Sequence, residues 1–86
     1  MTFKIRLEID RRYRYYNVEK IFDDGKTERY KIIGNNGSFE LESNRSYLRS
    51  KGLKHKRPEW KVIGVDIKSQ WMQELFINAI MKEVEK

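Results

Sequence analysis

Hydrophobic and polar residues alternate from the first positions of the chain. In FKIRLEI, residues 3 to 9, Phe3, Ile5, Leu7 and Ile9 point one way and Lys4, Arg6 and Glu8 the other, the period of a half-buried strand. YYNVEKIF continues it, with Tyr16, Val18 and Phe22 on one face and Ile21 on the other. DDGK, residues 23 to 26, supplies a turn, and TERYKII returns as the next strand. GNNG turns the chain again, with Asn36 and Gly37 expected at positive φ, and SFELES alternates with Phe39 and Leu41 inward. Short turns between alternating runs predict an antiparallel meander.

The pattern then loosens. SYLRSKG predicts one helical turn, capped by Ser46 and closed by Gly52. KHKRP reads as a loop, because Pro58 disfavours helix at the residue before it. WKVIGV is a short fifth strand. From Gln70 the period changes to that of a helix. Met72, Leu75, Phe76, Ala79, Ile80 and Val84 fall on one stripe, with Ser69 or Asp66 as cap, over about fifteen residues. The expectation is one small α+β domain over residues 1 to 86, an antiparallel β-meander of four to five strands with a C-terminal helix packed on one face. The other face is left to be solvated, to bind a ligand or to pair with a second copy.

Composition narrows the functional classes. Eighty-six residues bury only about 60 per cent of their unfolded surface, so the core has little to spare. There is no cysteine to form a disulfide or act as a thiolate. The alternating N-terminus lacks the apolar run of about 7 to 15 residues that a signal peptide needs. The densest apolar run, VIGV, is too short to span a bilayer. The expected location is the cytoplasm, with no membrane contact.

Charge is the most informative property. The chain carries 19 Lys and Arg against 13 Asp and Glu, a formal net charge of +6. The segment from Arg45 to Lys61 holds seven basic side chains and one acidic, so it accounts for the entire excess. A concentrated patch of this kind attracts phosphates or acidic partners.

Candidate catalytic chemistry is sparse. His55 sits among cations, which disfavour a metal ion beside it, and neither a second histidine nor a cysteine exists to share one. Asp23 and Asp24 are explained by turn chemistry. GNNG lacks the spacing of a phosphate-binding loop and opens no helix. No catalytic, metal or cofactor-binding residue is nominated, and an enzyme is not expected.

A nucleic-acid-binding module fits better. Such a module needs a basic track for phosphates and flat rings on which bases stack. RRYRYY interleaves Arg11, Arg12 and Arg14 with Tyr13 and Tyr15, and strand spacing puts a row of each on opposite faces. Arg45, Tyr47, Arg49, Lys51, Lys54, His55, Lys56, Arg57 and Lys61 complete the candidate surface. Tyr16, Phe22, Tyr30 and Phe39 are assigned to the core, as strand aromatics in a small domain usually are. Trp60, ahead of an apolar strand, is read as core rather than stacking platform. The competing function is a protein-interaction module, with an acidic protein partner or a homodimer using the open sheet.

SNRSYLRSKGLKH, followed by WKVI, resembles a motif in short bacterial proteins without known activity, over about residues 28 to 64. The resemblance implies a bacterial cytoplasmic protein and transfers no residue role. In outline, strands followed by one helix are also similar to the transcriptional-coactivator and purine-rich-element-binding families. These dimerise and hold single-stranded nucleic acid against curved sheets; the extra strand here departs from their pattern.

Overall fold

A computed structural model describes residues 1–35, 37–53, 55–64 and 70–85. The strands are β1 (Thr2–Ile9), β2 (Arg12–Asp23), β3 (Glu28–Gly34), β4 (Gly37–Ser43) and β5 (Trp60–Ile63), with helices α1 (Arg45–Ser50) and α2 (Gln70–Val84). The five strands form one antiparallel sheet in sequence order. The α+β meander read from the sequence is the observed fold.

The alternation of β1 sets the layers. Ile5, Leu7 and Ile9 are buried beneath α2, and Lys4, Arg6 and Glu8 lie on the open face. Val18, Tyr30, Ile32 and Leu41 continue the core across the sheet, and Phe76, Ile77 and Ile80 close it from the helix. Ile77 and Met81 widen the apolar stripe of α2 beyond the residues expected, so the helix beds more broadly than a single seam. The candidate caps, Ser69 or Asp66, lie outside the described residues.

Three local departures have physical causes. The β1–β2 connection is a two-residue turn at Asp10 and Arg11, whose φ angles of 53° and 63° are left-handed without a glycine to signal them. In β2 the register shifts between Lys20 and Phe22. The extra residue reverses the alternation, so Phe22 is exposed under the Arg29 guanidinium and not in the core. Finally, Ser46 does not cap α1. Asn44 occupies that position, while the Ser46 hydroxyl lies within donating distance of both Asp23 and Glu28. The far end of α1 follows the expectation. Gly52 at φ 72° donates to the Arg49 carbonyl and Leu53 N–H to the Leu48 carbonyl, a Schellman closure.

The GNNG turn joins β3 to β4 with Gly34 opposite Gly37; Asn36, expected in its left-handed pair, lies outside the described residues. Gly34 is needed for space: a Cβ there would stand 2.8 Å from the Tyr16 ring. Tyr16 and Phe39 are half-buried, each meeting Phe76 edge-on with centroids 4.9 and 5.0 Å away. Trp60 is half-buried beside Tyr30 at 5.9 Å, which makes it part of the core as expected.

Candidate nucleic-acid interface

The fold separates the two basic regions. The β1–β2 turn lies at the same end of the sheet as the β3–β4 turn; α1 and the loop after it follow β4 at the opposite end. The twelve residues of β2 span about 35 to 40 Å between them. The long axis of the molecule is 38 Å. The candidate residues therefore form two surfaces.

At the hairpin end, Tyr13 and Tyr15 stand on the open face, 57% and 64% exposed. They sit opposite Glu8 and Arg6 of β1, and Asn17 and Lys4 pair in the next row of that face. The Arg6 guanidinium lies 4.6 Å from the Tyr13 ring centroid, a cation–π contact. Arg12 and Arg14 point to the other face, opposite Ile9 and Leu7, and Arg11 occupies the turn. All three arginines are exposed. The expected separation of arginines and tyrosines onto two faces is what the register produces. The sequence reading omitted Lys4 and Arg6. Their signal was present, because the alternation of β1 already placed both on the outer face.

At the other end, Arg45 must be removed from the surface. It is only 3% exposed. Its guanidinium donates to Glu28 Oε1 at 2.8 Å, to Glu85 Oε1 at 2.6 Å and to the Val84 carbonyl at 3.1 Å. Burial works against its charge, but Glu85 and Glu28 outweigh burial and raise its pKa. Glu28, 2% exposed, also accepts from the Tyr30 hydroxyl at 2.9 Å and the Ser46 hydroxyl at 2.8 Å. Burial, then that hydrogen bond, pushes the Tyr30 phenol well above its ordinary range. Arg45 thus joins α1, β3 and the last turn of α2, with its guanidinium committed to carboxylate and carbonyl partners.

Around this buried centre Arg49, Lys51, His55, Lys56 and Arg57 are exposed. Lys51 sits 5.8 Å from the Tyr47 ring, and Arg57 is ion-paired with Glu74. Arg49, His55, Lys56 and Arg57 rim a cleft of about 470 Å³ floored by Leu48, Leu53 and Met81. Lys54 lies outside the described residues. Lys61 also lies toward the α1 end, but on the sheet itself: it sits on β5 opposite Glu42, which also faces Arg29 at 3.6 Å. Lys31 faces Glu40 in the same way, so this half of the open face neutralises itself. Among the described residues no three histidine, cysteine or carboxylate side chains converge as a metal site. Nor, among them, is any helix long and apolar enough to cross a membrane. The chain matches no known protein family, no curated protein and no solved structure.

Proposed function

We propose that the protein is a non-catalytic, cytoplasmic module that binds single-stranded nucleic acid through its β1–β2 hairpin. One observation carries this reading. Tyr13 and Tyr15 are exposed side by side on an open sheet face, with Lys4 and Arg6 beside them and Arg11, Arg12 and Arg14 at the same end. Rings and cations together are what sequence-tolerant stacking requires, whereas a duplex hides the faces of its bases. The α1 end, with Arg49, Lys51, Lys56 and Tyr47, supplies further phosphate contacts to strands long enough to reach it.

Titration of the fluorescence of Trp60 and Trp71 with a single-stranded and a duplex oligonucleotide tests the reading. Four to six phosphate contacts give a log–log salt slope of about −3 to −4 on a single strand. Preference for the duplex, or no response at low salt, refutes it. The second reading, an acidic protein partner, rests on the edge of the same hairpin, where residues 12 to 15 have no β3 partner among the described residues.

A further inference from the structure

The β1–β2 hairpin outruns the sheet. The β2–β3 register begins at Asn17 opposite Ile33, and β3 ends at Gly34, so residues 12 to 15 of β2 extend past any recorded partner on that side. The direction of their main-chain groups follows from the register. Lys20 N–H donates to the Met1 carbonyl at 2.9 Å, which makes that pair a hydrogen-bonded one. Antiparallel pairs alternate, so the even-numbered residues of this part of β2 bond to β1 and the odd-numbered ones face away. Tyr13 and Tyr15 therefore direct N–H and C=O into the space that β3 vacates. Among the described residues no main-chain bond is recorded for them on that side.

That space opens into a groove of about 640 Å³, bounded by the hairpin at Tyr13 to Tyr16, by the β3–β4 turn at Gly34 and Ser38, and on the helix side by the apolar side chains of Phe39, Met72 and Phe76. Its size is that of a ligand pocket. Above the strand plane stand the tyrosine rings, and below it Arg12 and Arg14, which have no ion-pair partner among the described residues. A second copy of the hairpin is a poor occupant. Two-fold pairing through Tyr13 and Tyr15 would set Arg14 against Arg14, and like charges directly opposite repel.

We infer that this edge is a strand-addition site for an extended acidic peptide, with carboxylates at alternate positions facing Arg12 and Arg14 and apolar side chains beside Tyr13 and Tyr15. Main-chain bonds to Tyr13 and Tyr15 supply the affinity, and the alternation supplies the selectivity. The site uses the edge of the hairpin, where nucleic acid would use the face, and it stands whether or not nucleic acid binds.

The probe is a blocked hexapeptide of alternating glutamate and valine, titrated into the full chain while backbone amide shifts are followed by NMR. Binding should be saturable, with the largest shifts at the Tyr13 and Tyr15 amides. Tyr15→Pro removes one outward N–H while leaving the bonds to β1, and should weaken binding about tenfold relative to Tyr15→Ala. N-methylation of alternate peptide amides should weaken it similarly in the unaltered protein, which covers the case of a proline variant that does not fold. Arg12→Glu with Arg14→Glu should reverse the preference to a lysine–valine peptide. No binding, binding indifferent to N-methylation, or a dimer formed through this edge would overturn the inference. Oligonucleotide binding that survives Tyr13→Ala with Tyr15→Ala would instead count against the stacking face, since both substitutions leave the edge intact.

Discussion

Two ends of one sheet carry positive charge, and they use it differently. At the α1 end the innermost arginine, Arg45, is consumed by the fold: it neutralises buried Glu28 and ties down Val84 and Glu85 at the end of α2. At the hairpin end Arg12 and Arg14 touch no carboxylate among the described residues. The same residue type is a structural clamp in one place and, among the described residues, an exposed cation without a carboxylate partner in the other. What separates them is the buried acid. A basic side chain beside a desolvated carboxylate is held there, since leaving the carboxylate unpaired costs more than ordering the arginine.

The sharpest way to break this comparison is to truncate both kinds of arginine. Arg45→Ala should destabilise the fold by about 3 to 5 kcal/mol in denaturant unfolding, because Glu28 would stay buried with its main counter-charge gone. Arg14→Ala should change stability by about 0.5 kcal/mol or less and weaken oligonucleotide binding instead. If the two variants lost similar stability, the division between clamp and free contact would fail.

Within the hairpin, face and framework can be separated as well. Tyr13→Ala with Tyr15→Ala should reduce single-strand affinity by about 1 to 3 kcal/mol per lost stacking contact and leave the thermal midpoint nearly unchanged. Arg11→Gly should act in the opposite sense. It relieves a left-handed φ of 63° and should stabilise the fold by about 1 kcal/mol, a rise read directly from thermal unfolding.

The smallest expected effect concerns acid. Asp23 accepts from Gly25 N–H at 3.0 Å and pairs with Lys20 at 2.8 Å. The Lys20 contact first, then the Gly25 bond, brings its carboxyl from 3.8 to about 2. A lowered folded pKa means that the fold prefers the carboxylate. Its contribution is complete above about pH 4 and fades as pH falls towards 2. Asp23→Asn should therefore lower stability at neutral pH and flatten its decline over that acid range. An unchanged acid limb would show that the Lys20–Asp23 pair contributes nothing.

The strands and α2 were legible because their periods are strong and their turns carry Gly, Asn and Asp. The β1–β2 turn was not, since Asp10 and Arg11 reach left-handed geometry without a glycine. Phe22 was misplaced because a bulge has no compositional mark in KIF. The candidate surface was legible as a list of basic and aromatic residues but not as a geometry. Sequence proximity grouped Arg45 with Arg49 and Lys51, although its partners, Glu28 and Glu85, lie 17 and 40 residues away. No local pattern reports an ion pair across that separation. Lys4 and Arg6, outside any basic run, come to lie beside Tyr13 and Tyr15 through the β1–β2 register.

The most direct test of the central claim is to reverse charge at each end separately and titrate a short single-stranded oligonucleotide at low salt. Arg12→Glu with Arg14→Glu should weaken binding at least about tenfold, whereas Lys56→Glu with Arg57→Glu should change it by about threefold or less on a strand too short to reach both ends. Equal losses at the two ends, or a loss confined to the α1 end, would contradict the hairpin as the primary interface.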